Sequence, residues 1–262
     1  MRQVLLIGIG AGDPDHLTQQ AIAALNRVDV FFVMDKGDAT EEMVALRRHV
    51  CDRFIPSPAQ GGHPYRMVET PDPERIIRPD RYEADVAAWH LQRVEIYEDL
   101  IRAELGDDDV GAFLVWGDPS LYDSTQRFVD EIQARGNVAF EVEVIPGISS
   151  VQALVAAHRI PLHGVGEAVR ITTGRRLGES FHPGPGGDRN VVVMLDGRTA
   201  FTGIDPAGVT IYWGAYLGTP DQILLSGPLA DVGPEIVRVR AEAKAAKGWM
   251  FDTYLLHRDV GA

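Results

Sequence analysis

Glycines at alternate positions mark the first segment that could bind a ligand. Gly8, Gly10 and Gly12 directly follow an apolar run near the start of the chain. Alternating glycines after a strand are typical of dinucleotide-binding proteins, but the G-x-G-x-x-G fingerprint requires a glycine where this chain has Asp13. Asp13 and Asp15 also place negative charge ahead of a helix, where a pyrophosphate needs bare amides. The first turn therefore predicts a tight bend without phosphate binding.

Two further glycine-containing turns follow apolar runs later in the chain. Residues 117–122 read Gly-Asp-Pro-Ser-Leu-Tyr, and residues 146–148 read Pro-Gly-Ile. Each turn precedes a pair of residues with capping-box spacing, which predicts the start of a helix. The pairs are Asp123 with Gln126 and Ser149 with Gln152. Ligands of parallel α/β proteins bind outside the carboxyl ends of strands, so these turns are candidate binding loops.

Cysteine and histidine usage argues against metal and disulfide chemistry. Cys51 is the only cysteine, so neither an intrachain disulfide nor a thiolate metal cluster can form. None of the eight histidines has H-E-x-x-H or similar ligand spacing, and the closest pair is His158 with His163. We expect no metal site and a reducing compartment.

An insert at residues 57–105 concentrates arginines in an otherwise acidic chain. They include Arg66, Arg75, Arg78, Arg81 and Arg93. The planar guanidinium group suits carboxylate binding, so the insert is a candidate site for an anionic small molecule. Ordinary surface solvation is the alternative explanation, and the sequence leaves both open.

Net charge and composition exclude several classes of protein. The chain has 262 residues, with 25 Lys and Arg against 38 Asp and Glu, which gives a net charge of -13. This charge repels phosphate backbones, so extended nucleic-acid binding is not expected. The apolar run within residues 1–12 is too short for a signal core or a membrane span. We expect a cytoplasmic protein.

Apolar runs alternate with helical patterns through residues 1–163, which predicts a parallel-rich α/β domain. The predicted strands are Val4–Ile7, Val30–Met34, Val110–Trp116 and Phe140–Ile145, and the predicted helices include Gln19–Leu25, capped by Thr18, and Val151–His158. The insert at 57–105 interrupts this alternation, and apolar residues at helical spacing predict a long helix in its second half.

Residues 164–262 predict a second α/β domain with a mixed or antiparallel sheet, because strand-like runs there have few helices between them. The runs are Val169–Thr173, Val191–Leu195, Val209–Trp213, Gln222–Ser226 and Trp249–Leu256. Pro234–Ala246 is the only convincing helix pattern, and the glycine-rich segment Gly174–Asp188 predicts a long surface loop.

Three motifs in this order resemble the tetrapyrrole (class III) S-adenosylmethionine-dependent methyltransferases. They are Ile7–Thr18 (Ile-Gly-Ile-Gly-Ala-Gly-Asp-Pro-Asp-His-Leu-Thr), Gly117-Asp118-Pro119 followed by Tyr122, and Pro146–Ser150 (Pro-Gly-Ile-Ser-Ser). Each motif alone is weak, but together they end successive predicted strands, and the resemblance covers nearly the whole chain. It implies the two-domain fold of that family, S-adenosylmethionine in a cleft between the domains, a tetrapyrrole substrate and a homodimer.

Further segments are similar to one branch of this family, which acts in the oxygen-dependent corrin pathway. They are Trp89-His90 with Arg93, the region Arg75–Arg81, and the ending Gly248–Tyr254. The resemblance implies methyl transfer to carbon C1 of precorrin-5, coupled to loss of a two-carbon fragment as acetate. The products would be precorrin-6A and S-adenosylhomocysteine.

The resemblance also assigns residues to the cofactor and to the substrate. The cofactor residues are Gly117, Asp118, Pro119, Leu121, Tyr122, Ser149, Ser150, Met194, Leu195, Ala215, Tyr216, Leu217 and Trp249. The first glycine loop, with Gly10, Gly12 and Asp15, resembles the region that faces the tetrapyrrole in this family. Arg66, Arg78 and Arg93 of the arginine-rich insert are the candidates for binding the carboxylates of such a substrate. Loss of the acyl fragment requires water activated by a general base, for which Asp13, Asp35 and His90 are candidates.

Alternative functions remain open at this point. Another corrin-ring methyltransferase or a ribosomal-RNA methyltransferase could have the same fold, although the net charge argues against RNA. A non-catalytic tetrapyrrole- or nucleotide-binding protein could also use the same cleft, because a fold does not determine function.

Overall fold

The computed structural model describes residues 1–35, 41–74, 76, 78–182 and 186–259. The chain divides into two compact units. The first contains Met1–Gly10 and Pro14–Ser149, and the second contains Ala11–Asp13 and the residues from Ser150 onward. In the part of the chain that is described, no helix is long and apolar enough to cross a membrane.

The first unit is a five-stranded parallel sheet with helices on both faces. Its strands are β1 (Gln3–Gly8), β2 (Val30–Asp35), β3 (Arg66–Pro71), β4 (Val110–Val115) and β5 (Glu141–Ile145), in the order β3-β2-β4-β1-β5. Its helices are α1 (Gln19–Leu25), α2 (Glu41–Phe54), α3 (Tyr82–Glu104) and α4 (Thr125–Arg135). The predicted parallel α/β arrangement is confirmed.

Two hydrophobic clusters cover the two faces of this sheet. Helices α1 and α2 pack on one face through residues such as Leu25 and Cys51. Helices α3 and α4 pack on the other face through residues such as Val94 and Phe128. Helices α2 and α4, which follow the neighbouring strands β2 and β4, thus cover opposite faces of the sheet. In α/β proteins, ligands bind beyond the carboxyl ends of strands where this change of face occurs, so this edge of the sheet is a candidate position for a ligand.

Of the predicted N-terminal caps of α1 and α4, one is confirmed and the other is wrong. The Thr18 side chain accepts a hydrogen bond from the Ala21 amide at 3.0 Å, so the predicted cap of α1 is confirmed. Asp123 does not act as the N-cap of α4, because the helix begins at Thr125 and Asp123 accepts from the Thr125 amide at 2.6 Å. This contact orders the residues ahead of the helix.

The insert at 57–105 contains a strand in addition to the predicted helix. Helix α3 lies in its second half as expected, but β3 forms the edge of the sheet and pairs with β2 in parallel. The sequence Arg-Met-Val-Glu-Thr-Pro has no continuous apolar run, because an edge strand is only partly covered.

The second unit is a mixed sheet, as the sequence predicted. Its strands are β6 (Arg170–Thr173), β7 (Asn190–Met194), β8 (Val209–Ala215), β9 (Ile223–Pro228) and β10 (Asp252–Arg258), in the order β6-β7-β10-β8-β9. Strands β6 and β7 pair in parallel, whereas β10 is antiparallel to β7 and β8, and β9 is antiparallel to β8. The helices are α5 (Ser150–His158), α6 (Leu177–Ser180) and α7 (Leu229–Lys247).

Three boundaries in this half differ from the sequence predictions. The units separate after Ser149 and not at residue 163, because α5 packs on β8 and β10 and places Leu154 against Gly214. The segment Gly174–Asp188 is not a loop throughout, since it contains α6 and a short 3-10 helix. Helix α7 begins at Leu229, and Pro234 lies inside it.

Candidate cofactor and substrate site

The turns after β1, β4 and β5 pack against one another through glycine backbone. A β-carbon on Gly147 would lie 2.1 Å from the Gly117 carbonyl oxygen and 2.9 Å from Gly8 Cα. The Gly117 amide donates to the Gly10 carbonyl at 2.8 Å. Glycine is therefore required at Gly147, and the three predicted turns meet at one edge of the sheet.

Asp118 fixes two of these turns relative to each other. Its Oδ2 accepts from the Gly147 amide at 2.9 Å, and its Oδ1 accepts from the Ser120 amide at 2.9 Å. Burial opposes ionisation of this carboxyl group, but hydrogen bonds from Ser120 and Gly147 outweigh burial and lower its pKa. Asp118 is therefore an ionised anchor of the loops and is poorly suited to act as a base.

Left-handed backbone occurs at three of the residues predicted to bind the cofactor. Tyr122 has φ 55°, Leu195 has φ 53° and Tyr216 has φ 49°. Residues other than glycine rarely adopt this conformation, which costs roughly 1–2 kcal/mol each. Such strain is concentrated at functional sites. Tyr122 and Leu195 are also 43% and 59% exposed, so two apolar side chains lie at the surface where strands end.

A buried network that the sequence did not reveal supports the backbone at Met194 and Leu195. Asp196 is 4% exposed and accepts hydrogen bonds from the Ala200 amide at 2.6 Å and the Tyr254 hydroxyl at 2.7 Å. Arg240 donates to the Asp196 carbonyl at 2.6 Å. Burial raises the pKa of Tyr254 above its ordinary value, so its hydroxyl remains a donor. The network residues are far apart in sequence, and no local motif marks them.

The segment Ala215–Leu217 begins at the last residue of β8 and is buried. The Tyr216 hydroxyl lies 2.8 Å from the Trp249 carbonyl oxygen, and the two rings meet edge to face at 4.9 Å. The Tyr216 amide donates to the Phe251 carbonyl at 2.9 Å. The structure thus brings Trp249 together with Ala215–Leu217, as the predicted cofactor set requires.

The predicted serines lie at the start of α5. Ser149 is 4% exposed, and Ser150 is the first residue of the helix. The Ser150 Oγ accepts a hydrogen bond from the Thr253 hydroxyl at 3.0 Å. This contact connects α5 to β10, the strand that pairs with Met194 through Thr253.

The first glycine loop lies at the carboxyl end of β1. Gly10 and Gly12 both have positive φ, and a β-carbon on Gly12 would lie 2.7 Å from the Leu217 carbonyl oxygen. Asp13 is half-buried, whereas Asp15 is exposed and forms an ion pair with Arg53.

Carboxylates of the chain itself pair with the three arginines predicted to bind substrate. The pairs are Arg66 with Glu104, Arg78 with Asp85 and Arg93 with Asp72. Hydrogen bonds from Arg78 lower the pKa of Asp85 to about 2. The Arg93 side chain is only 10% exposed and lies 4.7 Å from the Trp89 ring. Each arginine would have to exchange its partner to bind a substrate carboxylate. Arg75 lies outside the described residues.

The candidate bases Asp35 and His90 occupy different parts of the first unit. Asp35 is the last residue of β2, and its side chain lies outside the described part of the structure. His90 lies within α3, where its ring meets Phe128 edge to face at 4.7 Å and its Nε2 lies 3.4 Å from Glu131. His90 therefore contributes to the packing of α3 on α4. The described residues contain no cluster of three or more His, Cys, Asp or Glu that could hold a metal.

Comparison with known proteins gives consistent matches over most of the chain. A family model described as Tetrapyrrole (Corrin/Porphyrin) Methylases matches residues 3–233. A precorrin-6A synthase (deacetylating) from Sinorhizobium sp. is 50% identical over 258 residues, which are 98% of this chain and 96% of that protein.

Solved structures include two informative neighbours. A protein described as cobalamin synthesis related (CobF), from Corynebacterium diphtheriae, is 37% identical with a TM-score of 0.83, and the match covers 98% and 99% of the two chains. A uroporphyrin-III C-methyl transferase from Thermus thermophilus, solved with S-adenyl homocysteine, shares the fold at a TM-score of 0.54 and 20% identity, over 97% of each chain. On this evidence the chain belongs to the tetrapyrrole (corrin/porphyrin) methylase family.

Proposed function

We propose that this chain is an S-adenosylmethionine-dependent methyltransferase that converts precorrin-5 into precorrin-6A in cobalamin biosynthesis. In this reaction a methyl group is added to ring carbon C1 and the two-carbon fragment is released as acetate. The observation that carries the proposal is the 50% identity to a precorrin-6A synthase over 98% of the chain. Identity at this level over the full length favours a shared reaction in addition to a shared fold.

The residues proposed for the cofactor fit S-adenosylmethionine better than a phosphate-bearing coenzyme. The set contains no lysine or arginine, and its only charged member is the ionised Asp118. A sulfonium cofactor carries positive charge and no phosphate, so it needs neither a basic clamp nor a helix N-terminus. The exposed side chains of Tyr122 and Leu195 suit the apolar faces of a nucleoside. We propose that the strained backbone at these loops presents amide and carbonyl groups to the cofactor.

S-adenosylmethionine supplies the methyl group, and the protein positions this group relative to the substrate. Methyl transfer needs an in-line approach of the ring carbon to the methyl group, and correct placement can provide much of the acceleration. The interlocked glycine turns and the Asp118 anchor hold the loops at fixed distances. Few acid or base groups are needed for this step.

Release of acetate needs a base that activates water, and we propose Asp13 and Asp35 ahead of His90. Asp13 follows β1 and Asp35 ends β2, so both belong to segments at the carboxyl edge where α/β enzymes bind substrates. His90 packs against Phe128 and lies beside Glu131. We expect Asp35→Asn to slow turnover and leave cofactor binding intact.

The resemblance to the family and the net charge support further proposals. We propose a cytoplasmic homodimer that binds a small tetrapyrrole and no nucleic acid. Light scattering after size exclusion measures the oligomeric state directly. A net charge of -13 supports the absence of nucleic-acid binding.

The proposal is tested with purified protein, precorrin-5 and S-adenosylmethionine labelled in its methyl group. We expect label in the tetrapyrrole product and formation of S-adenosylhomocysteine. Calorimetric titrations with S-adenosylhomocysteine and with NAD give an independent readout, in which only the first should bind. A protein that binds NAD and ignores S-adenosylhomocysteine contradicts the proposal. Binding of a tetrapyrrole without methyl transfer would indicate a carrier.

A further inference from the structure

Asp196 is a buried carboxylate on which several elements of the second unit converge. It lies two positions after the last residue of β7 and is 4% exposed. Its Oδ1 accepts from the Arg198 amide at 3.0 Å, and its Oδ2 accepts from the Ala200 amide at 2.6 Å. The Tyr254 hydroxyl of β10 donates to the same Oδ2 at 2.7 Å. A buried carboxylate needs such donors, and three groups of the chain supply them.

Neighbouring elements also confine Asp196. A β-carbon on Gly174, which follows β6, would lie 2.5 Å from Asp196 Cγ. Arg240 of α7 donates to the Asp196 carbonyl oxygen at 2.6 Å, and Asp252 accepts from the Arg240 Nε at 2.8 Å. The Trp213 indole donates to the same Asp252 carboxylate at 3.0 Å. Asp196 is therefore held through both its side chain and its backbone.

Left-handed backbone flanks Asp196 on both sides. Leu195 has φ 53° and Thr199 has φ 52°. Residues other than glycine rarely adopt this conformation, and it persists where the surrounding contacts impose it. The two amide contacts of Asp196 close the turn that contains Thr199, and the Tyr254 hydroxyl joins this turn to β10. The contacts of Asp196 are thus placed to impose the backbone conformation at Leu195.

The side chain of Leu195 points outward at the end of a buried strand. Val191, Val192 and Val193 of β7 are fully buried, whereas Leu195 is 59% exposed. An apolar side chain at the surface adds little to folding stability, because it buries little area. An exposed leucine does suit the apolar face of a bound nucleoside, and backbone strain of this kind is concentrated at functional sites.

We propose that Tyr254 and Asp196 are positioning residues for the cofactor. They hold Leu195 in the left-handed conformation that receives S-adenosylmethionine, so the loop is formed before the cofactor arrives and binding does not have to order it. Tyr254 acts through the Asp196 carboxylate. This inference rests on the proposed function and adds two residues, outside the proposed cofactor set, that determine the affinity for the cofactor.

The test measures the affinity for S-adenosylhomocysteine by calorimetry in Tyr254→Phe, Asp196→Asn and the double variant. We expect Tyr254→Phe to weaken binding roughly threefold to tenfold, because one hydrogen bond that holds the loop is lost. Asp196→Asn should weaken binding at least as much. The double variant should bind no more weakly than Asp196→Asn alone, since both changes break the same contact.

Tyr212→Phe is the matched control. Tyr212 lies on β8 with its ring 5.6 Å from the His158 ring, on the face of the sheet opposite Tyr254, and its variant should bind as wild type does. Circular dichroism at the assay temperature establishes that each variant is folded, so a loss of stability alone does not weaken binding. Either single variant carries the test if the other does not fold.

Two results would overturn the assignment. The first is an affinity of the folded Tyr254→Phe and Asp196→Asn variants equal to that of Tyr212→Phe, which would leave these contacts with a role in folding alone. The second is a double variant whose loss of affinity equals the product of the two single losses, which would mean that Tyr254 does not act through Asp196. Wild-type protein that fails to bind S-adenosylhomocysteine contradicts the proposed function itself, so the two failures are distinguished.

Discussion

At most positions an alanine variant is more stable than a glycine variant, but at Leu195 we expect the glycine variant to be the more stable one. Leu195 has φ 53°, a left-handed conformation that costs an L-residue roughly 1–2 kcal/mol and costs glycine almost nothing. Leu195→Ala retains this strain, whereas Leu195→Gly relieves it. Both variants lose the same contacts beyond the β-carbon, so the difference between their stabilities reports the cost of the left-handed backbone conformation.

The magnitude follows from two opposing terms. Relief of strain favours the glycine variant by about 1–2 kcal/mol, and the greater freedom of glycine in the unfolded chain opposes it by about 0.5–1 kcal/mol. The free energy of unfolding of Leu195→Gly should therefore exceed that of Leu195→Ala by up to about 1.5 kcal/mol. The side chain is 59% exposed, so its removal should cost both variants only about 1 kcal/mol of burial.

Urea denaturation followed by circular dichroism measures both variants, and calorimetry measures their affinity for S-adenosylhomocysteine. The exposed Ala245 in α7 provides the control, because Ala245→Gly should lower stability by about 1 kcal/mol. We expect Leu195→Gly to be more stable than Leu195→Ala and to bind S-adenosylhomocysteine more weakly, since the backbone is no longer held. If the glycine variant is the less stable of the two, strain at Leu195 does not exist as described.

Further predictions concern the first unit. Asp72→Asn should lower the free energy of unfolding by about 3–5 kcal/mol in thermal or urea denaturation, because it leaves the buried Arg93 charge unpaired; a loss below 1 kcal/mol contradicts this. The lowered pKa of Asp118 means that its ionised form stabilises the fold at pH values above the unfolded carboxyl pKa of about 3.9. This stabilisation should be lost as the pH falls through the pKa of Asp118 in the folded protein. When the free energy of unfolding is measured against pH, Asp118→Asn should lack this acid-dependent loss. Burial raises the pKa of Cys51 to about 12, so iodoacetamide should label it only in denaturant, and rapid labelling of the native protein would refute this. Gly147→Ala should abolish S-adenosylhomocysteine binding, since its β-carbon would meet the Gly117 carbonyl oxygen, and unchanged calorimetry would show that the turns can separate.

Sequence patterns were sufficient for the fold class because buried parallel strands leave continuous apolar runs. Val4–Ile7 and Val30–Met34 are such runs, and both lie within observed strands. The edge strand β3 was missed because Arg66–Pro71 is only partly covered and includes charged residues at Arg66 and Glu69. Burial on both faces, more than strand propensity, made strands visible in the sequence.

The candidate site was only partly predictable for a related reason. Turn residues such as Gly147 and Asp118 stand in short local motifs, so sequence placed them at the ends of strands. The contacts of Asp196 with Tyr254 and Arg240 join residues that are distant in sequence, so no local sequence pattern indicates them.

Acetate release is the measurement that tests the central claim most directly. Precorrin-5 and S-adenosylmethionine are incubated with the protein, and acetate and S-adenosylhomocysteine are quantified over time by nuclear magnetic resonance and chromatography. We predict equal amounts of the two products at every time point, because methylation of C1 is coupled to loss of the two-carbon fragment. Formation of S-adenosylhomocysteine without acetate would contradict the account and would indicate methylation at a different ring position.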